Sequence, residues 1–386
     1  MRNTIINKIT EYAERDKRVF MVTGDAGFGV LDEFKKKFPD NFINLGVAEQ
    51  NMISFSAGMS LAGYKVYVYN IVPFVLYRCY EQVRNDICYQ ELPVTLIGIG
   101  SGLTYAPQGM THYSVEDIAL GRTMPNLTIL SPCDPIEAKK CAEYAYRSKQ
   151  PVYIRIAKSG EPVLHKKPVK DIESPIVLQE GEKVAVLFHG SIGIEVMQAA
   201  NSTNCKPKII SVPMLQPLNF SFLENALEDI DTVLVVEEHF TVGGLGTIIS
   251  EWLIEKKPAL KLIKLGIKTE FIHDVKNNIG MREKYGISAD NNDRANAVLL
   301  RSLSWMEIRS KNIPAFNWQL QLRTPLRSGD LRPTAKHPNH LFQILPQEGL
   351  PLFDNWRPPP SLRMRRRFDG GDTTSNMPVS PSRRNR

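Results

Sequence analysis

The chain lacks any apolar run long enough to cross a bilayer, so a membrane-spanning helix is not expected. Its first stretch, MRNTIINKITEYAERDKRVF, is amphipathic and charged, without a signal-peptide core or a small-residue cleavage site. A cytoplasmic protein is therefore expected. Cysteine is scarce. The five present (Cys79, Cys88, Cys133, Cys141 and Cys205) show no metal-ligand spacing, and the odd count favours reduced, mostly structural thiols. There is no G-x-S-x-G elbow, no H-E-x-x-H helix and no CxxC pair, which removes three large enzyme classes. Aromatic–basic interleaving of the nucleic-acid modules is also missing. The net charge of +7 is an excess carried by an arginine-rich tail, while acids and bases nearly balance over the first 300 residues. Neither nucleic acid nor membrane is an expected partner.

What is present is alternation. A length of 386 residues favours two or three domains. From residue 1 to 160, short β-type runs (RVFMVTG, YKVYVYNI, PVTLIGIG, LTILSP, PVYIRIA) alternate with amphipathic helices expected over 3–15, 48–62, 76–89 and 134–147. That alternation predicts a parallel-sheet α/β domain. Residues 161–173 read as a polar, proline-containing linker. From 174 to 292 the alternation resumes with KVAVLFHG, KPKIISVP, TVLVVEEH and LKLIKLGI and with helices over 191–201, 220–228 and 243–256, a second and smaller α/β domain. Beyond 293 lysine almost vanishes, with only Lys311 and Lys336 left, while arginine and proline multiply. Residues 293–386 are expected to be a poorly ordered basic Pro/Arg-rich extension, or a segment translated out of frame.

Five positions attract chemistry. In NFINLGVAEQNM, Glu49 falls in the first turn of a helix amid apolar residues. It is either a partner for the helix macrodipole or a carboxylate set to meet a ligand. In TGDAGFG, Asp25 sits in a glycine-rich loop leaving a strand, which is either a plain tight turn or an approach to a ligand. Phe74, in a proline-containing loop, is either core or a stacking surface for a flat heterocycle. The neighbouring Arg78, Arg84 and Asp86 read as helix-surface pairs or an oligomer contact. His112, in the loop GLTYAPQGMTHYSVEDI, is a candidate proton carrier or a solvated histidine. Glu116 follows it by four residues, but no third metal ligand is apparent. Arg155 ends the PVYIR strand. In VVEEHFTVGGLG, His239 and the glycines read chiefly as shaping a loop at an interface.

Taken together, FPDNFINLGVAEQNM, YEQVRND, GMTH followed by ED, MPNLTILSPCDPIEA and PVYIR resemble the pyrimidine-binding domain of transketolase-like thiamine diphosphate enzymes. VVEEHFTVGGLG resembles their C-terminal domain. The resemblance spans residues 5 to 290 in order. It implies that Glu49 hydrogen-bonds a ring nitrogen of the cofactor's aminopyrimidine and so activates it, and that Phe74 stacks on that ring. It further implies that His112 contacts substrate oxygens and assists proton transfer, that Asp25 lies near substrate hydroxyls, and that Arg155 binds a substrate phosphate.

Two departures shape the expectation. The chain begins at the pyrimidine-binding domain, with no preceding G-D-G…N signature for Mg²⁺ and diphosphate. The resemblance therefore implies the C-terminal subunit of a split enzyme. A separate N-terminal transketolase subunit would supply the metal ligands, most plausibly within a heterotetramer, and no metal site is expected in this chain. Second, relatives that make 1-deoxyxylulose 5-phosphate carry an arginine just before the glycine matching Gly102, whereas this chain reads GIGSG. Two-carbon ketol transfer between sugar phosphates is the favoured activity. The alternatives are the beta subunit of a 2-oxo acid dehydrogenase, which acts on 2-oxo acids, and a non-catalytic relative.

Overall fold

A computed structural model describes residues 1–289 apart from Ser159 and Cys205. The expected basic tail lies outside the described residues. The first half runs α1 (Arg2–Ala13), β1 (Val19–Thr23), α2 (Asp32–Lys37), β2 (Phe42–Asn44), α3 (Glu49–Leu61), β3 (Lys65–Ile71), α4 (Tyr80–Gln82), β4 (Thr95–Ile99), α5 (Asp117–Arg122), β5 (Thr128–Leu130), α6 (Pro135–Arg147) and β6 (Val152–Ile156). The second half runs β7 (Ile176–Gln179), β8 (Lys183–Phe188), α7 (Gly193–Asn201), β9 (Lys208–Ser211), β10 (Met214–Gln216), α8 (Phe220–Ala226), β11 (Ile230–Phe240), α9 (Leu245–Lys256), β12 (Lys261–Ile267) and α10 (Asn278–Lys284).

The first sheet has the order β10-β5-β6-β4-β3-β1-β2 and the second β12-β11-β8-β9-β7. β1, β4, β5 and β6 are buried along their whole length. Continuous apolar runs of this kind are what a parallel sheet covered on both faces demands. The fold class is the expected one, two α/β domains, with one refinement. Each sheet carries a single antiparallel edge strand, β10 against β5 and β7 against β9. β10 follows β9 in the chain yet completes the first sheet.

Helix α3 shows why its sequence folds as it does. Glu49, Met52, Ile53, Ser56, Ala57 and Ser60 form its buried stripe at three- and four-residue spacing. Glu49 thus lies on the core-facing side of its helix. α6 starts cleanly because Pro135 opens it and the Asp134 carboxylate caps it, accepting from the backbone N–H of Ile136 and Glu137 at 2.9 Å each. The expected helix over 76–89 is instead irregular. Residues 73–77 and 83–88 are π-helical on either side of α4, with Arg78 N–H reaching back five residues to Pro73 O at 3.0 Å. Wide turns of this type recur at functional sites. The linker is also less free than its polarity suggests, since His165, Val169 and Ile172 are buried.

Lys65, at the start of β3, donates to Ser148 O at 2.6 Å. Burial, assisted by the charge of Arg18, lowers its amine to about 8. Below that pH the folded chain carries the charge in a poorly solvated place. The penalty is complete there and fades as pH rises towards the ordinary lysine value of about 10.4, where the unfolded chain also loses its proton. The contribution of Lys65 should therefore rise from pH 8 to 10, read in urea melts as the difference between wild type and Lys65→Met over that range.

Candidate active site

The parallel strands deliver their following loops to one edge. Chain order reverses between β1 and β3, with β2 outside one and β4 outside the other. Ligand crevices of open α/β sheets form beyond the carboxyl ends of strands at such a reversal. Asp25 follows β1, Glu49 opens the helix after β2, Phe74 follows β3, and His112 lies in the long loop after β4. Four of the five expected residues therefore come from adjacent strands.

The loops are knitted by polar side chains. Asn44 Oδ1 accepts from the N–H groups of Asp25 and Gly46, at 2.8 and 3.0 Å, tying the β1 loop to the β2 loop. Asn70 donates to Gly24 O at 3.0 Å. Gly24 has no room for a side chain, because an added Cβ would stand 2.8 Å from the Asn70 amide and 3.0 Å from Gly46 O. Asp25 itself is exposed, with φ of +51°.

Glu49 is 5% exposed and ends on Arg78, whose Nη1 donates to Oε1 at 2.8 Å. The same guanidinium lies 4.7 Å from the centroid of the Phe74 ring. The rings of His112 and Phe74 meet edge to face, with centroids 5.4 Å apart and planes inclined at 76°. Thus Glu49, Phe74 and His112 converge, with Arg78 between carboxylate and ring. Arg78 was expected on the helix surface or at an oligomer contact. Only the wide turn from 73 to 77 explains its place here, and that turn has no marker in the local sequence. Glu116 does not partner His112. It accepts from Tyr77 Oη at 3.0 Å, while His112 Nδ1 lies 2.8 Å from Thr111 Oγ1.

Arg155 requires a correction. It is 2% exposed. Its Nε donates to Asp117 Oδ2 at 2.7 Å, and its Nη2 donates to Glu238 O and Ser114 O at 2.9 and 3.3 Å. Tyr153 Oη donates to the same Asp117 oxygen at 2.8 Å. Burial opposes the charge on Arg155, but Asp117, with Tyr153 and Glu238, outweighs it and favours the charged guanidinium. A side chain so enclosed joins the two domains rather than meeting a substrate phosphate. Ser101, which precedes Gly102, is likewise buried, its N–H bonded to Ile156 O at 3.0 Å. The loop expected at an interface is at one. His239 is buried beside Ala119, and a Cβ on Gly243 would stand 2.3 Å from that of Ala119. Glu237 accepts from the N–H groups of Leu245 and Gly246, at 2.8 and 2.9 Å, where α9 begins.

Residues 1–161 match the family profile of the transketolase pyrimidine-binding domain and residues 175–290 that of the transketolase C-terminal domain. The chain is 34% identical over 261 residues to the B-type subunit of the apulose-4-phosphate transketolase of Actinobacillus succinogenes, covering 67% of this chain and 84% of that one. It is 29% identical to the like-named protein of Phocaeicola vulgatus, over 74% of this chain and 94% of the relative. A 1-deoxy-D-xylulose-5-phosphate synthase of Caldanaerobacter subterraneus is 32% identical over 76% of this chain, which spans 47% of that longer protein. Among solved structures, a split-gene transketolase described as an inactive β4 tetramer superposes with a TM-score of 0.68 at 26% identity, covering 79% of this chain and 98% of that one. With both profiles matched in order and a subunit-length relative aligned over 84% of its length, the chain belongs to the transketolase family and corresponds to the C-terminal subunit of its split members.

Proposed function

We propose that this chain transfers a two-carbon ketol unit between sugar phosphates as one half of a split transketolase, with thiamine diphosphate held between it and a separate N-terminal subunit. On this reading residues 1–160 form the pyrimidine-binding domain, 161–173 the linker and 174–292 the C-terminal domain. The observation that carries the proposal is the guanidinium of Arg78, a flat nitrogen-bearing group lying on Phe74 and bonded to Glu49. An aminopyrimidine offers the same combination of flat face and N–H edge, so the ring and carboxylate fit it. Arg78 must swing away to admit it, and its half-exposed guanidinium can do so into solvent.

When bound, the cofactor supplies the carbon nucleophile and holds the electron pair after the carbon–carbon bond breaks. Glu49 holds a proton at the pyrimidine ring nitrogen, and its buried position keeps that bond out of competition with water. Phe74 fixes the plane of the ring. His112, at the mouth of the crevice beside Phe74, is placed to bond substrate oxygens and pass protons, and exposed Asp25 to accept from substrate hydroxyls.

Among the described residues, one group of cysteine, histidine and acidic side chains is arranged to hold an ion, and it follows β5 rather than β2. Five strand spacings separate those two strands, about 24 Å. Mg²⁺ and diphosphate are therefore assigned to the partner. The β4 tetramer of the split-gene relative, described as inactive, supports the need for one. A heterotetramer working in the cytoplasm is the form proposed.

The test is co-purification with a candidate N-terminal subunit carrying G-D-G…N, then calorimetric titration of thiamine diphosphate and Mg²⁺ into each chain and into the complex. Tight binding by the complex alone, with ketol transfer from a ketose phosphate, is expected. Turnover of a 2-oxo acid instead would support the dehydrogenase reading, and a complex that binds no cofactor would overturn the proposal.

A further inference from the structure

A cluster of lone pairs is sealed inside the protein far from Glu49. Asp134 is saturated. Its Oδ1 caps α6, and its Oδ2 accepts from the backbone N–H groups of Leu164 and His165, at 2.9 and 3.2 Å. The same oxygen lies 2.9 Å from His165 Nδ1. A carboxylate so placed makes Nδ1 the protonated nitrogen and turns the Nε2 lone pair inward. Nε2 faces Glu137 Oε1 at 3.3 Å, with both side chains buried, and neither atom has a hydrogen-bond partner among the described residues. The other Glu137 oxygen accepts from Cys133 N–H at 2.7 Å. The Cys133 thiol lies within 4.8 Å of a ring nitrogen of His165 and of a carboxylate oxygen of Glu137. Ser211 Oγ is also buried, and it is close enough to Cys133 and Glu137 to favour the ionised form of each.

Two facing acceptors repel unless a cation stands between them. The candidates are a second proton on His165 and a metal ion. We propose that it is a metal: Cys133, Glu137 and His165 form a buried site for a single zinc-like divalent ion, with Ser211 or a water completing the tetrahedron.

Three features favour the ion. Zinc bonds of about 2.0–2.2 Å to nitrogen and oxygen at the tetrahedral angle put the two ligand atoms about 3.4 Å apart, close to the observed separation. A Zn–S bond of about 2.3 Å needs the sulfur about 3.6 Å from each, and the three ligand atoms already lie within 4.8 Å of one another. Third, Asp134 on the far nitrogen of His165 is the outer carboxylate that metal-bound imidazoles characteristically carry. The start of α6 adds a positive dipole end, which suits the anionic ligands. The role is structural. Cys133 and Glu137 belong to the first domain, His165 to the linker and Ser211 to the end of β9 in the second, so one ion would join all three.

The experiment takes the full chain, purified without a metal-binding tag, and measures metal by plasma mass spectrometry. About one zinc per chain is expected, with cobalt substitution producing a thiolate-to-cobalt absorption band. Cys133→Ala should abolish that band and the bound metal while leaving a cooperative thermal transition. Wild-type protein that is metal-free as isolated and gives no thiolate band on cobalt titration would overturn the site and identify the shared cation as a proton on His165. Because the wild type is read directly, a variant that fails to fold does not obscure the answer.

Discussion

Glu49→Gln in the assembled enzyme should lower kcat by roughly 10²–10⁴-fold, the range a positioned proton-transfer group contributes. Glutamine preserves the volume and can still bond a pyrimidine nitrogen, but it cannot hold charge opposite a ring nitrogen that must be protonated. The loss should appear in turnover more than in cofactor affinity, because the contacts proposed for Phe74 and for the partner's diphosphate site remain. Folding should barely register the change. The carboxylate's partner in the free chain is Arg78, which is half exposed, and the pair contributes no more than about 1 kcal/mol. Steady-state kinetics alongside urea melts separate the two effects. A variant with unchanged kcat would remove Glu49 from the chemistry and leave it a first-turn acid.

Asp117→Ala should have the reverse profile, a loss of stability of about 3–5 kcal/mol, because it strands a buried charge. Arg155 is 2% exposed and Asp117 fully buried, and no solvent is at hand to replace the lost carboxylate. Tyr153 loses its acceptor in the same step. Arg155→Met should cost a similar amount. The double variant Asp117→Leu with Arg155→Met should recover much of the loss, since a matched apolar pair leaves no orphaned charge. Urea midpoints at constant m value measure all three. If the singles cost under 1 kcal/mol and simply add in the double, the two groups are not coupled in the way their 2.7 Å contact implies.

Much of this was legible beforehand because parallel strands announce themselves. VFMVT, TLIGI and VYIRI are apolar at all but one position each, and in a sheet covered on both faces every position is buried. Glu49 was legible for a related reason, as the only charge on a helical stripe of small and apolar residues. What stayed hidden depends on long-range pairing. β2 and β10 have three residues each, too few for any periodicity, and β10 is held by partners over eighty residues away. Arg78 carried a surface signature, and a π turn brought it onto Phe74. Arg155 at the end of its strand looked available for a phosphate, yet Asp117, remote in sequence, claims it. His165 lay in a stretch so polar that nothing marked it as buried beside Glu137. Charge pairing across folded layers leaves no local trace.

The seam between the two halves is not where the linker is. Because β10 returns from the second half to complete the first sheet, a cut through residues 158–163 would break the covalent connection and spare the hydrogen-bonded one. The fragments would remain a single particle, held by a borrowed strand and by Arg155 reaching Glu238. The two units named by the family profiles are thus modules of ancestry more than of mechanics. For a subunit proposed to present its crevice to another chain, this is an advantage, since the half bearing the crevice cannot swing on its linker while the other half stays still.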